Sequence, residues 1–155
     1  MRKVDSYDVR LLKLLQQDTT LSIADMAEEV GLSQNACWRR LKTLEEEGYI
    51  LKKVALLNYK KLGCGVTVYV TVRTNQHTED WLEKFAKGIH LIPEVVEFHR
   101  MSGDVDYFLK IRVRDIDDYD RIYKKIIKCA PLVDVSSFFA MERIKETTEI
   151  PLSLP

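Results

Sequence analysis

The side chains best suited to chemistry in this sequence lie between residues 33 and 53, and their chemistry is that of hydrogen bonding to DNA. At about 100° per residue, a helix over this stretch has one polar and one apolar face. The polar face presents Asn35, Trp38, Arg39, Lys42 and Thr43. The apolar face presents Cys37, Leu41 and Leu44. Because packing explains an exposed amide, indole and cations poorly, we interpret the polar face as one that enters a DNA groove.

Two kinds of DNA contact are expected from this stretch. Amides suit adenine and a guanidinium suits guanine, so the predicted base contacts are Gln34, Asn35, Trp38 and Arg39. Hydroxyl and cationic groups position a protein on the phosphates, and the predicted phosphate contacts are Ser33, Arg40, Lys42, Thr43, Lys52 and Lys53. Two alternatives stay open. Arg40 can instead pair with Glu28 or Glu45, and Trp38 can instead lie against the body of the domain.

A helix-turn-helix is needed to position this face. Apolar residues recur at helical spacing just before it, at Ile23, Met26, Ala27 and Val30. Gly31 suits the left-handed residue that ends this helix, and Ser33 can cap the next helix by accepting a backbone N–H. Asp5 and Asp8 can cap an earlier helix. Three helices in roughly fifty residues form a minimal helix-turn-helix domain, predicted over residues 1–50.

Residues 51–65 are predicted to connect this domain to a second one. Tyr49 to Asn58 alternates weakly, which is typical of a short strand or a wing-like connector with its lysines pointing outward. Tyr59 to Gly65 is predicted to be the linker, because its glycines mark a boundary.

The pattern changes at Val66 and predicts a second domain over residues 66–155. Period-two alternation predicts strands over Val66–Val72, Val95–Met101, Tyr107–Val113 and Val135–Arg143. Helical spacing predicts one helix from Trp81 to Ile89 and another from Asp115 to near Pro131. The order β-α-β-β-α-β is that of the ferredoxin-like fold. The predicted fold class is therefore α+β, with an N-terminal helix-turn-helix (winged-helix-like) domain and a C-terminal ferredoxin-like βαββαβ domain.

Such a sheet has helices on one face only. The residues predicted to face the helices are Val66, Val68, Val70, Val72, Tyr107, Leu109, Ile111 and Val113. The opposite face receives Tyr69, Phe108, Phe138 and Ala140, with Lys110 and Arg112. These groups are large for a solvent surface, so we favour packing between two subunits over scattered exposed aromatics. A dimer also suits a helix-turn-helix, since two recognition helices then enter successive major grooves.

The turn from Met101 to Asp106, which includes Ser102, has suitable chemistry for an α-amino acid. Gly103 lets the backbone present N–H groups to a carboxylate, and Asp104 or Asp106 can receive an ammonium group. The alternative is an ordinary Ser-Gly-Asp turn in which Asp106 only caps backbone groups.

Composition excludes several classes of protein. The 155 residues are 46% hydrophobic and 31% charged, as in ordinary globular domains. No apolar run approaches the roughly 20 residues that span a bilayer, and the N-terminus lacks a signal-peptide core, so we expect a cytoplasmic protein without a membrane partner. Net charge is zero, which argues against indiscriminate coating of nucleic acid. Residues 39–61 nevertheless have a net charge of +4, a local basic patch.

Catalytic and metal-binding patterns are not visible. Three widely spaced cysteines predict reduced thiols rather than a disulfide framework. The three histidines lack metal-ligand spacing, so no metal site is expected. Without a nucleophile–base pair or a phosphate-binding glycine loop, we expect neither an enzyme nor a cofactor.

The chain resembles the leucine-responsive regulators (Lrp/AsnC, or feast/famine family) along nearly its whole length. The matching segments are Val4-Asp5-x-x-Asp8, Leu11-Leu12-x-x-Leu15-Gln16-x-Asp18, Ala27-x-x-Val30-Gly31-Leu32-Ser33, Cys37-x-x-Arg40-Leu41-x-x-Leu44-Glu45-x-x-Gly48-x-Ile50, Ser102-Gly103-x-x-Asp106-Tyr107 and Lys145-x-Thr147-Thr148. Their number and order make the resemblance specific. Four positions before Gly103 the family motif often has a small aliphatic residue, and here that residue is His99, a departure that concerns the effector rather than the fold.

The resemblance implies a DNA-binding domain followed by a ligand-binding, oligomerising domain. Family members form dimers that assemble further, often into octamers, and respond to amino acids. By the same resemblance the effector site lies between subunits and comprises Met101, Ser102, Gly103, Asp104, Asp106, Asp134, Ser136 and Ser137. We therefore expect a sequence-specific regulator that binds double-stranded DNA under control of a free amino acid. The alternative is an architectural protein that compacts DNA with little sequence preference, which steep salt dependence would favour.

Overall fold

The structure is a computed structural model that describes residues 3–153. It consists of two compact units. The chain up to Leu56 forms the first unit together with the C-terminal segment from Lys145, and residues 57–144 form the second. The sequence assigned that C-terminal segment to the second domain, whereas its contacts lie with the first. The ends of both predicted domains, residues 1–2 and 154–155, lie outside the described residues.

Three helices form the first unit, as predicted. They are α1 (Ser6–Gln17), α2 (Ile23–Val30) and α3 (Gln34–Glu46). The Asp5 and Asp8 capping box starts α1, and Ser33 starts α3 by accepting the Ala36 N–H at 3.3 Å. Gly31 ends α2 with φ +72°, a conformation that a side chain would disfavour. The predicted helix-turn-helix is thus confirmed together with the local chemistry that defines it.

The buried core of the first unit comes from all three helices. Its members are Leu11, Met26, Ala27, Val30, Cys37 and Leu41. Arg10 on α1 donates to the carbonyl oxygens of Val30 at 3.0 Å and Glu29 at 2.7 Å. A guanidinium at the C-terminus of α2 satisfies its free carbonyls and opposes the negative end of its dipole. This contact fixes α2 against α1.

The C-terminal segment hydrogen-bonds to α1. The Ile150 N–H donates to Gln16 Oε1 at 2.7 Å, and Gln16 Nε2 donates to the Ile150 carbonyl at 3.3 Å. Leu12, Leu15 and Leu152 line the apolar groove beside this pair. The pair therefore accounts for the assignment of the C-terminal segment to the first unit.

The connector after α3 contains no strand over residues 51–58, so the short strand, one of the two predicted alternatives, is wrong. Lys52 and Lys53 are exposed, as expected for the other alternative, a wing-like connector with its lysines pointing outward. Gly48, with φ +77°, ends α3, and the apolar side chains of Leu51, Val54 and Leu56 remain exposed. Weak alternation does not make a strand here, because the sheet found within residues 3–153 comprises four strands that all follow residue 65 and does not extend to this segment.

The second unit has the predicted β-α-β-β-α-β order. Its elements are β1 (Val66–Arg73), α4 (Glu79–His90), β2 (Val95–Arg100), β3 (Tyr107–Val113), α5 (Ile116–Cys129) and β4 (Asp134–Phe139). The antiparallel sheet has the strand order β2-β3-β1-β4, which is that of the ferredoxin-like fold. The four-stranded α+β architecture is confirmed.

Alternation places the predicted valines of β1 and apolar residues of β3 against the helices. Val68, Val70, Leu109 and Ile111 are fully buried there, with Phe85 of α4. The last strand is shorter than predicted, because it ends at Phe139 rather than Arg143. Phe139 pairs with Val68, close to the start of β1. The Ala140 N–H then donates to the Thr67 carbonyl, and only Val66 of β1 lies beyond that point, so β4 has almost no partner strand left to pair with.

An ion-pair network surrounds Asp118 near the start of α5. Its carboxylate lies 2.7 Å from Arg121 Nη2 and 3.3 Å from Arg114 Nε. Arg121 Nη2 also lies 2.7 Å from Glu94 Oε1. Hydrogen bonds from Arg114 and then Arg121 hold the pKa of Asp118 far below its ordinary value.

Asp118→Asn is expected to remove stability that is present at neutral pH and disappears in acid. Because the folded-state pKa lies below the unfolded one, the carboxylate stabilises the fold above about pH 4 and loses this effect as the pH falls further. The difference in melting temperature between wild type and variant should therefore shrink below about pH 4. Asp117→Asn, an exposed carboxylate in the same helical turn, serves as the control. A difference that stayed constant across the acid range would contradict the assignment.

Candidate nucleic-acid interface and effector region

The predicted polar face of α3 is exposed in the structure. Gln34, Asn35, Arg39 and Lys42 are all exposed, and Trp38 is 53% exposed. Cys37, Leu41 and Leu44 are buried on the opposite face. Trp38 therefore does not lie against the body of the domain. Trp38, Arg39, Arg40, Lys42, Thr43 and Glu46 line a shallow concavity of about 430 Å³.

Arg40 makes structural ion pairs, but not with the partners considered from the sequence. Its Nη1 lies 2.7 Å from Asp5 Oδ2 and 2.8 Å from Asp8 Oδ1 rather than beside Glu28 or Glu45. Asp8 is fully buried. The Asp8 N–H and the Arg40 guanidinium together lower the pKa of Asp5. Arg40 therefore joins α3 to the N-terminus of α1.

Three other predicted phosphate contacts already have partners within the first unit. Lys53 Nζ lies 2.8 Å from Glu45 Oε1, and Lys42 Nζ lies 3.7 Å from Glu46 Oε1. The Thr43 hydroxyl donates to the Arg39 carbonyl at 2.9 Å. Exposed pairs of this kind contribute little stability, so phosphate oxygens can displace these acids. Lys52 is exposed, and Ser33 is occupied in capping α3.

The turn between β2 and β3 is exposed over most of its length. Met101, Ser102, Gly103 and Asp104 are exposed, and Gly103 has φ +123°, which favours glycine. Asp106 instead braces the turn. Its Oδ2 accepts the Thr74 N–H at 2.8 Å, and its own N–H donates to the Val72 carbonyl at 3.0 Å. The capping role considered for Asp106 is thus present.

The predicted effector residues of β4 do not share one surface. The Ser136 hydroxyl donates to Asp134 Oδ2 at 3.0 Å on the face away from the helices. Ser137 points the other way, toward α5, where its hydroxyl hydrogen-bonds to Tyr119. The 101–106 turn leads directly into β3, and β1 lies between β3 and β4, so within one subunit the two sets lie roughly 10 Å apart.

The sheet face away from the helices is partly apolar and partly charged. Tyr69 and Phe108 stack at 5.6 Å between ring centroids, and Phe138, opposite Tyr69, is 57% exposed. Lys110 pairs with Glu97 at 2.8 Å. Arg112 and Tyr59 lie on top of each other, with Arg112 Cζ 3.6 Å from the ring centroid. Ala140 lies beyond the end of β4.

Among residues 3–153, no three His, Cys, Asp or Glu side chains are placed to hold a metal ion. None of the helices in that described range is long and apolar enough to cross a membrane.

Two sequence-family profiles match the chain in order. The profile described as winged helix-turn-helix DNA-binding matches residues 4–50, which contain the exposed face of α3. The profile described as Lrp/AsnC ligand binding domain matches residues 67–150, more than half of the chain. The chain belongs to the Lrp/AsnC family. It is a DNA-binding transcriptional regulator with a family ligand-binding domain.

Two relatives of this Lrp/AsnC regulator have names that describe regulatory proteins. The glutamate uptake regulatory protein of Zymomonas mobilis is 47% identical over 98% of this chain and 93% of its own length. The DNA-binding transcriptional activator DecR of Escherichia coli is 45% identical over 96% of this chain and 99% of its own. These names describe regulators and an activator of transcription rather than enzymes.

Solved structures agree with the fold of this Lrp/AsnC regulator. An AsnC family transcriptional regulator from Agrobacterium tumefaciens is 51% identical, with a TM-score of 0.92 over 95% of this chain and 96% of its own. A transcriptional regulator from Neisseria meningitidis, solved as an L-Met complex, is 29% identical, with a TM-score of 0.91 over 96% of this chain and 97% of its own.

Some contacts that shape the exposed face of α3 and the effector region were not predicted from the sequence. Arg10 and the buried Asp8 belong to α1, yet they position α2 and α3. Arg73 was not named either, although the β1–β4 register places it opposite Asp134 at the end of the sheet. Pairings of this kind depend on how elements meet, and local sequence patterns do not contain that information.

Proposed function

We propose that this regulator recognises specific duplex sequences through the exposed face of α3 and that it acts in the cytoplasm. One observation carries the proposal: Gln34, Asn35, Trp38, Arg39 and Lys42 share one exposed surface. Amides and a guanidinium on such a surface supply the bidentate pairings that distinguish bases. Lys52 and Lys53 contribute phosphate contacts, and Arg40 positions α3 rather than touching bases.

We further propose that a free amino acid is the effector and that the 101–106 turn contacts it. The exposed N–H groups around Gly103 suit a carboxylate, and Asp104 suits an ammonium group. The L-Met complex of the Neisseria meningitidis relative supports this class of ligand. Because β1 lies between β4 and the strand that follows this turn within one subunit, we propose that Asp134 and Ser136 come from a neighbouring subunit.

The proposed assembly starts with a dimer formed by the exposed sheet face. Phe138, Phe108 and Tyr69 form an apolar centre there, surrounded by Lys110 and Arg112. An apolar centre with a polar rim is typical of a protein–protein interface. Higher oligomers, such as an octamer, would bring the effector turn of one subunit to the β4 strand of another.

Selection of bound duplexes from a random DNA pool, with and without each of the twenty amino acids, tests the proposal. We expect one enriched sequence, and enrichment that changes with one or a few amino acids. Titration calorimetry should show heat for the same amino acids. Asp104→Ala should remove the response but leave DNA binding without effector unchanged, whereas Asp117→Ala should change neither.

Two outcomes count against the proposal separately. Binding that depends steeply on salt but enriches no sequence would favour the architectural alternative. Absence of heat with every amino acid, and of any change in assembly or DNA binding, would remove the effector.

A further inference from the structure

The indole of Trp38 is a large apolar group on an otherwise polar surface. It is 53% exposed, and its neighbours on that face include Asn35 and Arg39. Tryptophan is largely buried in most soluble domains. Cys37 and Leu41 fill the core of the first unit from the opposite face of α3. Packing in that core therefore does not account for an indole at position 38.

Contacts along α3 keep the indole on this face. Lys42 Nζ lies 5.3 Å from the ring centroid of Trp38, which is within cation–π range. Lys42 Nζ also lies 3.7 Å from Glu46 Oε1. Since the three residues are four positions apart, they form a row along one side of the helix. These contacts therefore hold the indole in this row on the exposed side of α3 rather than turned toward the core.

The chemistry of the major groove offers one apolar group that matches an indole. Adenine, guanine and cytosine present hydrogen-bond donors and acceptors there, whereas thymine adds a methyl group at C5. Gln34 and Asn35 precede Trp38 by four and three residues, so the three side chains lie on the same side of the helix. Their amides suit adenine, so the indole and the amides can contact neighbouring A·T pairs.

We propose that Trp38 determines sequence preference by packing its indole against the 5-methyl group of a thymine. The inference rests on the proposed DNA-binding function and specifies one base that α3 distinguishes. The competing arrangement places the indole on the sugar–phosphate backbone, where it would stabilise the complex without regard to sequence.

Replacing thymine by uracil tests the proposal, because uracil pairs identically and lacks only the methyl group. Starting from the selected duplex, each thymine is replaced in turn and the dissociation constant of the full-length protein is measured. The wild type should lose roughly fourfold in affinity at one or two positions, which is the effect of one buried methyl group. Trp38→Ala should bind the thymine and uracil duplexes equally at those positions.

Arg39→Ala is the matched control on the same helix face. It should bind all duplexes more weakly but keep the thymine-to-uracil ratio of the wild type. Thermal unfolding of Trp38→Ala should match the wild type, since the side chain lies outside the core.

Each remaining outcome overturns the inference. A wild type that tolerates uracil at every position would place the indole on the backbone, and so would a Trp38→Ala variant that keeps the wild-type ratio. Failure of the wild type to prefer any duplex would instead defeat the proposed sequence-specific function, which the selection detects independently.

Discussion

Arg40→Ala is expected to destabilise the first unit by about 3 kcal/mol, because it removes the guanidinium that lies 2.8 Å from the buried carboxylate of Asp8 and joins α3 to α1. Asp5 would lose the same contact, but it is half exposed and water can replace the guanidinium. We expect amide hydrogen exchange to accelerate in α1 and α3 of the full-length protein, while β1 in the second unit keeps its protection. Mass spectrometry of peptides from these elements measures the effect.

Arg39→Ala provides the matched control for stability, since it removes the neighbouring guanidinium from the exposed face of the same helix. Its exchange rates should match those of the wild type. Arg40→Lys should recover part of the lost protection, because an ammonium group keeps the charge but cannot reach both carboxylates in the same geometry. Equal protection in wild type and Arg40→Ala would show that the ion pairs with Asp5 and Asp8 contribute nothing.

Arg39→Ala is expected to weaken binding of the selected duplex by about 1–3 kcal/mol, or roughly 5- to 150-fold. Arg39 is exposed, and within residues 3–153 it has no ion-pair partner, so its guanidinium is available to a guanine edge. Replacing that guanine should weaken the wild type much more than the variant. Fluorescence anisotropy with both duplexes measures the difference.

Lys52→Ala separates base contact from phosphate contact. It should weaken the binding of all duplexes to a similar degree and reduce the slope of affinity against salt by about one unit. Lys84→Ala, an exposed lysine on α4, removes a charge far along the chain and should have no effect on affinity.

Undiminished affinity and unchanged sequence choice in Arg39→Ala would refute the assignment of Arg39 to a base edge.

Local chemistry made the helix-turn-helix predictable. Gly31 and Ser33 act on neighbouring backbone groups, so their roles follow from position alone. Arg40 shows the limit of such reasoning. Its partners lie 35 and 32 residues away, and only the packing of α1 against α3 brings them within 3 Å.

The sheet was predictable in its faces but not in its pairings. Alternation separated Val68 and Val70 from Tyr69, because successive strand residues point to opposite faces. The same rule places Ser136 and Ser137 on opposite faces, so their joint assignment to one effector site between subunits could have been questioned from the sequence. The bond from Thr74 to Asp106 depends on the β1–β3 register, which no local pattern specifies.

The paired hydrogen bonds between Gln16 and Ile150 make the ferredoxin-like unit an insertion within the DNA-binding unit, since the chain leaves at Leu56 and returns at Lys145. A fragment that stops at residue 56 is therefore an incomplete DNA-binding module. It would expose Leu12 and Leu15 to water, and its solubility and melting temperature would understate those of the same helices in the intact chain. Fusing residues 145–155 to such a fragment through a flexible spacer should restore the hydrogen bonds between Gln16 and Ile150 and the cover over Leu12 and Leu15.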